Sequence, residues 1–250
     1  MKISFVVPAY NEEAHIGPCV ESIVREIKDN NLEIGTDAEV VVVNNASTDR
    51  TAEIAARYPG ITVLNEPIKG LVMARRAGFV VTTGELVANI DADTVMPRGW
   101  LATVLGTFAA HKKLVALSGP FIYHDFNPVV RVLVRLFYFP GWLFDLVAQP
   151  VTGRATMLQG GNFIVRRSAW ERAGGFDTSI QFYGEDADVA RRISTQGRVV
   201  WSWGLPIYSS GRRLKKEGIM RMAFVYAVNL FAMHLTGKPY HQQYSDIRIK

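Results

Sequence analysis

The stretch ELVANIDADTVMP, residues 85–97, begins as a strand and ends on two acids. Leu86, Val87 and Ile90 read as buried strand residues. Asp91 and Asp93 then follow with one alanine between them, and Pro97 closes the run. Two carboxylates this close repel each other unless a cation neutralises them. Mg2+ and Mn2+ prefer hard oxygen ligands and often take only a few from protein, the rest coming from phosphates and water. A plainer reading has one aspartate capping the next helix and the other solvated.

The segments around this stretch decide the fold class. KISFVVP (2–8) reads as a buried strand, and Asn11 as the cap of a helix with Glu12 and Glu13 in its first turn. Ile16, Val20, Ile23 and Ile27 then recur at helical spacing. EVVVVN (39–44) is the continuous β-branched run of a strand covered on both faces. Ser47, Thr48 or Asp49 is expected to cap the helix RTAEIAARY. ITVL (61–64) is a third strand, 68–82 a helix, 85–91 a fourth strand, and LVALSG (114–119) a fifth. Trp100, Leu101, Val104, Leu105 and Phe108 lie on a helix between the last two. Strands alternating with helices predict an α/β fold with a mainly parallel sheet flanked by helices. Such sheets bind ligands at the carboxyl ends of their strands, where Tyr10–Glu12, Asn44–Asp49 and Asp91–Asp93 all fall.

The second half is less regular. The apolar stretch 127–150 is interrupted by Arg131, Arg135, Pro140 and Asp145. MLQGGNFIVRR (157–167) reads as a strand entered through two glycines, FYGEDADVARRIS (182–194) as a loop turning into a helix, and RVVWSW (198–203) as a strand. Residues 216–236 form an apolar helix. Neither apolar stretch reaches the roughly 18–20 uninterrupted apolar residues of a spanning helix. Interfacial helices, core packing and a homodimer face are the readings left open.

Bulk composition narrows the partners. The chain has 250 residues, enough for one sizeable domain, and carries a formal charge of +5. That excess suits an anionic ligand or an anionic membrane surface. Nucleic acid is not expected, because no compact Lys/Arg run with interleaved aromatics occurs. The single cysteine, Cys19, rules out an internal disulfide, fits a reducing cytoplasmic compartment and reads as inert core. The N-terminal run is broken by Pro8 and acids and is not read as a signal peptide.

Six segments together resemble family 2 glycosyltransferases: VVPAYNEE (6–13), VVVNNASTDRT (41–51), KGLVMARRAG (69–78), NIDADTVMP (89–97), GGNFIVRRSAWERAGGFD (160–177) and GEDADVARR (184–192). The resemblance covers about residues 1–205 and implies the GT-A fold, a Rossmann-like nucleotide-sugar domain. It also implies a nucleotide-diphospho-sugar donor, a divalent metal (Mg2+ or Mn2+), and inverting transfer to an acceptor hydroxyl or phosphate. On this resemblance Pro8, Ala9, Tyr10 and Glu12 form the wall around base and ribose. Asp93 is the acid that most directly holds the metal, and Asp91 is the first acid of that motif. Lys69 and Arg75 are basic positions near the nucleotide. Asp186 matches the general base that takes the acceptor proton, with Glu185 and Asp188 tuning it or binding acceptor. Gly160, Gly161 and Asn162 would let the backbone approach the donor sugar.

The chain also departs from the family pattern. Asn44-Asn45 stands where the family usually has two aspartates. An Asn45 amide can accept from uracil N3–H and donate to O4, which predicts a uracil or thymine nucleotide over guanine. Arg76 replaces a common asparagine, as a phosphate contact or an exposed charge. The Q-x-x-R-W motif of processive relatives is missing; Gln196, Arg198 and Trp201 have the wrong spacing, so single transfers are expected. YSSGRRLKKEG (208–218) occupies the place of a metal-binding histidine. There Arg212 and Arg213 are candidates to cover the diphosphate, or to face anionic lipid with Lys215 and Lys216.

The organisation expected is a glycosyltransferase domain over 1–207, with a nucleotide half 1–119 and an acceptor half 120–207. A basic loop and apolar helix would follow over 208–250, resting peripherally on the membrane with Arg131, Arg135 and Trp142. The acceptor would be a carbohydrate or lipid-linked. The competing readings are a catalytically silent relative that binds a nucleotide-sugar or a partner, and a nucleotidyltransferase. The latter lacks its Gly-rich basic phosphate loop here.

Overall fold

Strand β1 (Ile3–Ala9) is buried at all seven positions, as its apolar run requires. In this computed structural model, which describes residues 1–241 and 246, β1 is an interior strand of a seven-stranded sheet. It pairs in parallel with β2 (Ala38–Asn44) on one side and β4 (Leu86–Ile90) on the other, Ile3 facing Ala38 and Leu86. β3 (Ile61–Asn65) extends the sheet in parallel beyond β2. The chain therefore runs outward from β1 to β3 and returns across β1 to β4. This reversal of strand order opens a crevice at the carboxyl ends of β1 and β4, the usual ligand position in such sheets.

Beyond β4 the sheet turns mixed. β8 (Asn162–Arg166) runs antiparallel to both β4 and β6 (Leu114–Ser118), and β9 (Arg198–Trp201) continues in parallel with β6. A three-stranded sheet covers the crevice end. In it β10 (Ile207–Ser209) pairs antiparallel with β5 (Thr94–Val95) and parallel with β7 (Phe121–Tyr123). Helices α1 (Ile16–Asp29), α2 (Thr51–Ala56) and α4 (Trp100–Ala110) bury their apolar sides on one face of the main sheet, α1 through Ile16, Val20, Ile23 and Ile27. Helices α3 (Leu71–Val81), α6 (Arg167–Arg172) and α7 (Glu185–Ile193) pack on the other, around Phe79, Phe163 and Trp170.

Two helix starts differ from expectation. Asn11 does not cap α1, which begins at Ile16 without a side-chain cap. Instead Asn11 adopts φ 50°, and its side-chain oxygen accepts from Thr48 N at 2.8 Å, tying the end of β1 to the loop after β2. Asp49 does serve α2, accepting from Thr51 N at 2.9 Å, while its other oxygen accepts from Glu13 N at 3.0 Å.

The irregular stretch 127–150 is in fact one long helix, α5 (Pro128–Thr152). Pro128 stands in its first turn, where no N–H is needed, and Asn127 accepts from Val130 N at 2.9 Å. Asp145 turns inward and accepts from Thr156 N at 2.6 Å, fixing the chain as it leaves the helix. The expected helix 216–236 divides into α8 (Arg212–Glu217) and α9 (Ile219–Thr236). Between them Gly218 takes φ +88°, a left-handed conformation that suits glycine. α9 has the length and composition to cross a membrane, contrary to the expectation for that stretch, and most of it is not covered by the rest of the protein. Residues 242–245 and 247–250 of the expected 208–250 segment lie outside the described residues.

Candidate active site

The crevice gathers three groups of side chains. At its outer end, Pro8, Ala9 and Tyr10 follow β1, and the Lys69 ammonium lies 4.0 Å from the centre of the Tyr10 ring. Lys69 Nζ also meets an Asp246 oxygen at 2.7 Å. Such a cation–aromatic pair makes a flat, partly charged wall.

Asn45 lines this end, but its amide is committed elsewhere. Its Nδ2 donates to the carbonyls of Glu66 and Ile68 at 3.0 and 2.7 Å, and its Oδ1 accepts from Gly70 N at 2.8 Å. The side chain is thus a brace for loop 66–70, which carries Lys69. Both Nδ2 hydrogens of Asn45 are spent on this loop, so a base at this end would meet the amide only through Oδ1. A carboxylate here would face two carbonyl oxygens with no donor to offer. Asn45→Asp should therefore cost about 1–3 kcal/mol of stability in a denaturant titration.

The middle of the crevice holds the acidic pair and two arginines. Asp91 ends β4, and its carbonyl accepts from Thr94 N at 3.1 Å and Thr94 Oγ1 at 2.7 Å, which turns the chain. Neither aspartate caps α4, whose N-cap is Gly99. Gly161 reaches Asp91 so closely that a Cβ there would lie 2.3 Å from the carboxyl carbon. Arg75, from α3, is fully buried; its Nη2 meets Asp91 Oδ1 at 3.0 Å and its Nη1 contacts Glu185 Oε1. It is a strut between carboxylates rather than an open phosphate ligand. Arg212 contacts Glu12 through Nη2, and the same nitrogen lies 3.1 Å from Asp93 Oδ2.

The inner end is built on the start of α7. Asp186 Oδ2 accepts from Gly160 N at 3.1 Å and Oδ1 from Ala187 N at 2.9 Å, so two backbone donors fix its carboxyl group. Burial raises its pKa, opposed by Arg75. Burial also pushes Glu185 up to about 7, against the pull of Arg75 and with the repulsion of Asp186. The folded chain therefore holds the Glu185 proton more tightly than the unfolded chain. This stabilisation is complete below the unfolded value of 4.5 and is lost as pH rises through about 7. Urea midpoints should fall more steeply between about pH 5 and about pH 7 in the wild type than in Glu185→Gln.

Several expected residues take other positions. Glu12 does not line the crevice; it is buried behind Arg212, with His15 Nδ1 3.2 Å from its Oε2. The Asn162 side chain is spent internally, accepting from Trp100 Nε1 at 3.1 Å and donating to the carbonyls of Gly119 and Leu205 at 3.0 and 2.9 Å. Asp188 points away from the crevice, paired with Arg192 at 2.6 Å on its own helix. Arg76 is exposed and outside the crevice. Arg213 does line it, with its guanidinium 4.6 Å from the Phe182 ring and its Nη1 2.6 Å from Glu217. Phe121, Tyr123, Tyr183 and Tyr226 also line the inner end and escaped the sequence reading. Tyr183 stands two residues before Glu185 and could have been found; Tyr226, on α9, carries no local signal. Cys19 is buried beneath Asp91, and burial, then the charge of Asp93, lifts its thiol far above the ordinary range, so it is inert.

Comparison with known proteins places this geometry. The family model described as "Glycosyl transferase family 2" matches residues 4–174, more than half of the chain. The chain belongs to glycosyl transferase family 2. It is similar to a dolichyl-phosphate beta-glucosyltransferase of Trichomonas vaginalis, 43% identical over 101 residues, covering 36% of this chain and 30% of that protein. It also resembles a probable glycosyltransferase of Bacillus subtilis, 28% identical over 208 residues, covering 78% of this chain and 47% of that protein. The chain thus spans less than half the length of these curated relatives. Among solved structures, a Pyrobaculum calidifontis mannosyltransferase in complex with GDP-Man and Mn2+ aligns with a TM-score of 0.70 at 24% identity, over 95% of this chain and 65% of that one. Glucosyl-3-phosphoglycerate synthase of Mycobacterium tuberculosis, with Mn2+ and UDP-glucose, aligns at 0.61 and 20% identity, over 92% and 78%. The fold is accordingly GT-A.

The donor set can be weighed against the Mn2+ present in those two solved structures. Two hard-oxygen carboxylates, Asp91 and Asp93, line the crevice at the end of β4. Among the described residues, no group of three or more His, Cys, Asp or Glu could hold a metal by itself. That set fits Mg2+ or Mn2+ arriving with a diphosphate, which completes the coordination with its own oxygens. It does not fit a protein-only cage.

Proposed function

We propose that the chain is a metal-dependent inverting glycosyltransferase that moves one sugar from a nucleotide-diphospho-sugar to an acceptor hydroxyl. The observation that carries this reading is the Asp186 carboxylate, fixed by two backbone N–H groups, in the same crevice as the acidic pair ending β4. The base and ribose would lie against Pro8, Ala9, Tyr10 and loop 66–70, with the diphosphate directed at Asp91 and Asp93. The metal held there would supply charge neutralisation to the leaving diphosphate. Arg212 and Arg213 are further positive groups at that place.

The chemistry then follows from the chain's own residues. The acceptor oxygen attacks the anomeric carbon from the face opposite the diphosphate, forming the new C–O bond. The old bond breaks and its electron pair leaves with the diphosphate. The acceptor proton passes to Asp186, whose raised pKa makes it a better proton acceptor than an ordinary aspartate.

A lipid-linked acceptor at a cytoplasmic membrane surface is the arrangement we favour. Val129, Val132, Leu133, Leu136, Phe137 and Phe139 of α5 and Met220, Phe224, Phe231 and Leu235 of α9 are exposed. These are large apolar side chains in number, beyond the scattered ones of an ordinary surface. α9 also carries Tyr226 into the crevice wall, so the apolar face adjoins the acceptor end. Exposed Lys215, Lys216 and Arg221 beside it would meet anionic headgroups. Of the residues expected at this contact, Arg131 is half-buried with its Nε donating to Phe126 O at 2.8 Å, and half-buried Trp142 packs between Trp203 and the exposed Phe139.

The test is turnover with Mn2+ and a panel of radiolabelled UDP-, dTDP-, GDP- and ADP-sugars on anionic vesicles containing membrane glycolipids. Sugar recovered in the lipid fraction with stoichiometric nucleoside diphosphate supports the proposal. Nucleotide binding without transfer to any fraction would favour a silent relative, and release of pyrophosphate a nucleotidyltransferase.

A further inference from the structure

Arg212 stands where a second cation would have to work. Its Nη2 is shared between Glu12, which is 1% exposed, and Asp93 Oδ2 at 3.1 Å. The backbone around it is pinned on both sides. Ser210 N donates to Asp93 O at 3.3 Å, and Gly211 N donates to Asp125 Oδ1 at 2.7 Å. Lys215 Nζ lies 2.9 Å from the other oxygen of Asp125. β10, which leads into this arm, is paired with β5 immediately after Asp93. The guanidinium is therefore delivered to the acid by a structured arm and can leave it by rotation of its own side chain.

A divalent ion at Asp93 and a guanidinium on the same carboxylate compete for the same oxygens and the same charge. Displacing Arg212 toward solvent would cost it an ion pair. Displacing it onto a diphosphate would not, because phosphate oxygens are strong partners for arginine. The geometry points to Arg212 as a tethered counter-ion of Asp93 that holds the metal site closed until a diphosphate arrives to receive it. Metal and diphosphate then bind cooperatively, beyond their direct contact with each other. This rests on the metal-dependent reading above and adds to it a residue that orders the two ligands.

The test measures Mn2+ binding by the loss of the free-ion EPR signal, with Mn2+ alone and with Mn2+ plus inorganic pyrophosphate. Pyrophosphate supplies the diphosphate chemistry without a choice of base. Arg212→Gln should tighten Mn2+ alone on the order of 5-fold or more, the lower range of ordinary coupling between sites. The enhancement that pyrophosphate gives should shrink by a similar factor, since coupling is reciprocal. Arg212→Lys, which keeps a charge, should lie nearer the wild type. Lys112→Gln removes the same net charge from an exposed site after α4 and should change neither value. If Arg212→Gln does not fold once Glu12 has lost this arginine, the double variant Arg212→Gln/Glu12→Gln removes both charges and carries the same expectation.

Unchanged or weakened Mn2+ binding in the Arg212 variants overturns the proposal, as does equal tightening in Lys112→Gln. If Mn2+ binds the wild type with pyrophosphate but is indifferent to Arg212, the counter-ion role alone fails. If Mn2+ binds no variant, with or without pyrophosphate, the metal-dependent reading fails with it.

Discussion

Asp186→Asn should lower kcat for transfer to an acceptor hydroxyl by about 10²–10⁴-fold, the usual contribution of a positioned general base. The asparagine oxygen can accept from only one of Gly160 N and Ala187 N, and its Nδ2 faces the other donor, so the change should cost about 1–3 kcal/mol of stability. Nucleoside diphosphate affinity of the folded protein should stay near wild type, and the catalytic loss should fall on kcat. The same variant reports on the acceptor. A phosphate monoester with a second pKa near about 6 arrives mostly deprotonated at neutral pH and needs no base. A loss of only a few-fold would thus point to a phosphate acceptor and remove Asp186 from the proton transfer. Single-turnover rates with the wild type and the variant, at matched occupancy of donor, separate these outcomes.

The second large effect concerns Arg75. It is fully buried and lies between Asp91 and Glu185, so its removal leaves two acids facing each other across an uncompensated space. Breaking a buried ion pair by taking away one partner costs about 3–5 kcal/mol, much more than an exposed pair is worth. Arg75→Met keeps the volume roughly and should destabilise the fold by that amount in equilibrium denaturation. Because Glu185 already holds a proton more tightly than usual, adding Glu185→Gln to Arg75→Met should recover part of the loss. A single variant as stable as wild type would mean that the strut contributes nothing and that the acids repack around a neutral side chain. The strut also joins the acid at the end of β4 to the neighbour of Asp186, so the same substitution should lower turnover in whatever fraction folds.

The strands that flank the crevice were readable because their physical demands are simple. A strand covered on both faces must be apolar along most of its length, and β1, β2 and β4 are, with Ser4, Glu39, Asn44 and Asn89 as the polar exceptions. The position of Asp91 and Asp93 then followed from where β4 had to end. The direction of β8 was not readable, since NFIVR satisfies the same burial whether it runs parallel or antiparallel. Continuity of α5 was hidden by Pro140 and the charged residues, although its N-terminal signal, Asn127 before Pro128, was present. Asn11 looked like a helix cap from its neighbours, but the chain turns through a left-handed residue there and starts the helix later.

At the site, residues placed by the ends of strands share one crevice: Tyr10, Asp91 and Asp93, with Gly160 and Gly161 beside them. The residues whose partners lie far away in sequence took partners that the sequence did not show. Asn45 serves loop 66–70, Asn162 serves Trp100 and two carbonyls, and Arg212 meets Glu12 two hundred residues away. No spacing rule encodes such pairings, because they depend on which loops the sheet brings side by side. Asp188 shows the opposite case. Its helical spacing to Arg192 was visible all along, and that local pair is where its charge goes.

The account stands most directly on one measurement: thermal unfolding with UDP, dTDP, GDP and ADP, each with Mn2+ and each with EDTA, for the wild type and Asp93→Ala. A ligand at a hundred times its dissociation constant adds about 2.7 kcal/mol, which for a domain of this size raises the midpoint by roughly 2–4 °C. The account predicts such a rise with at least one nucleoside diphosphate, present with Mn2+, lost in EDTA and lost in Asp93→Ala. No rise with any nucleotide, or a rise indifferent to both EDTA and Asp93, would contradict it.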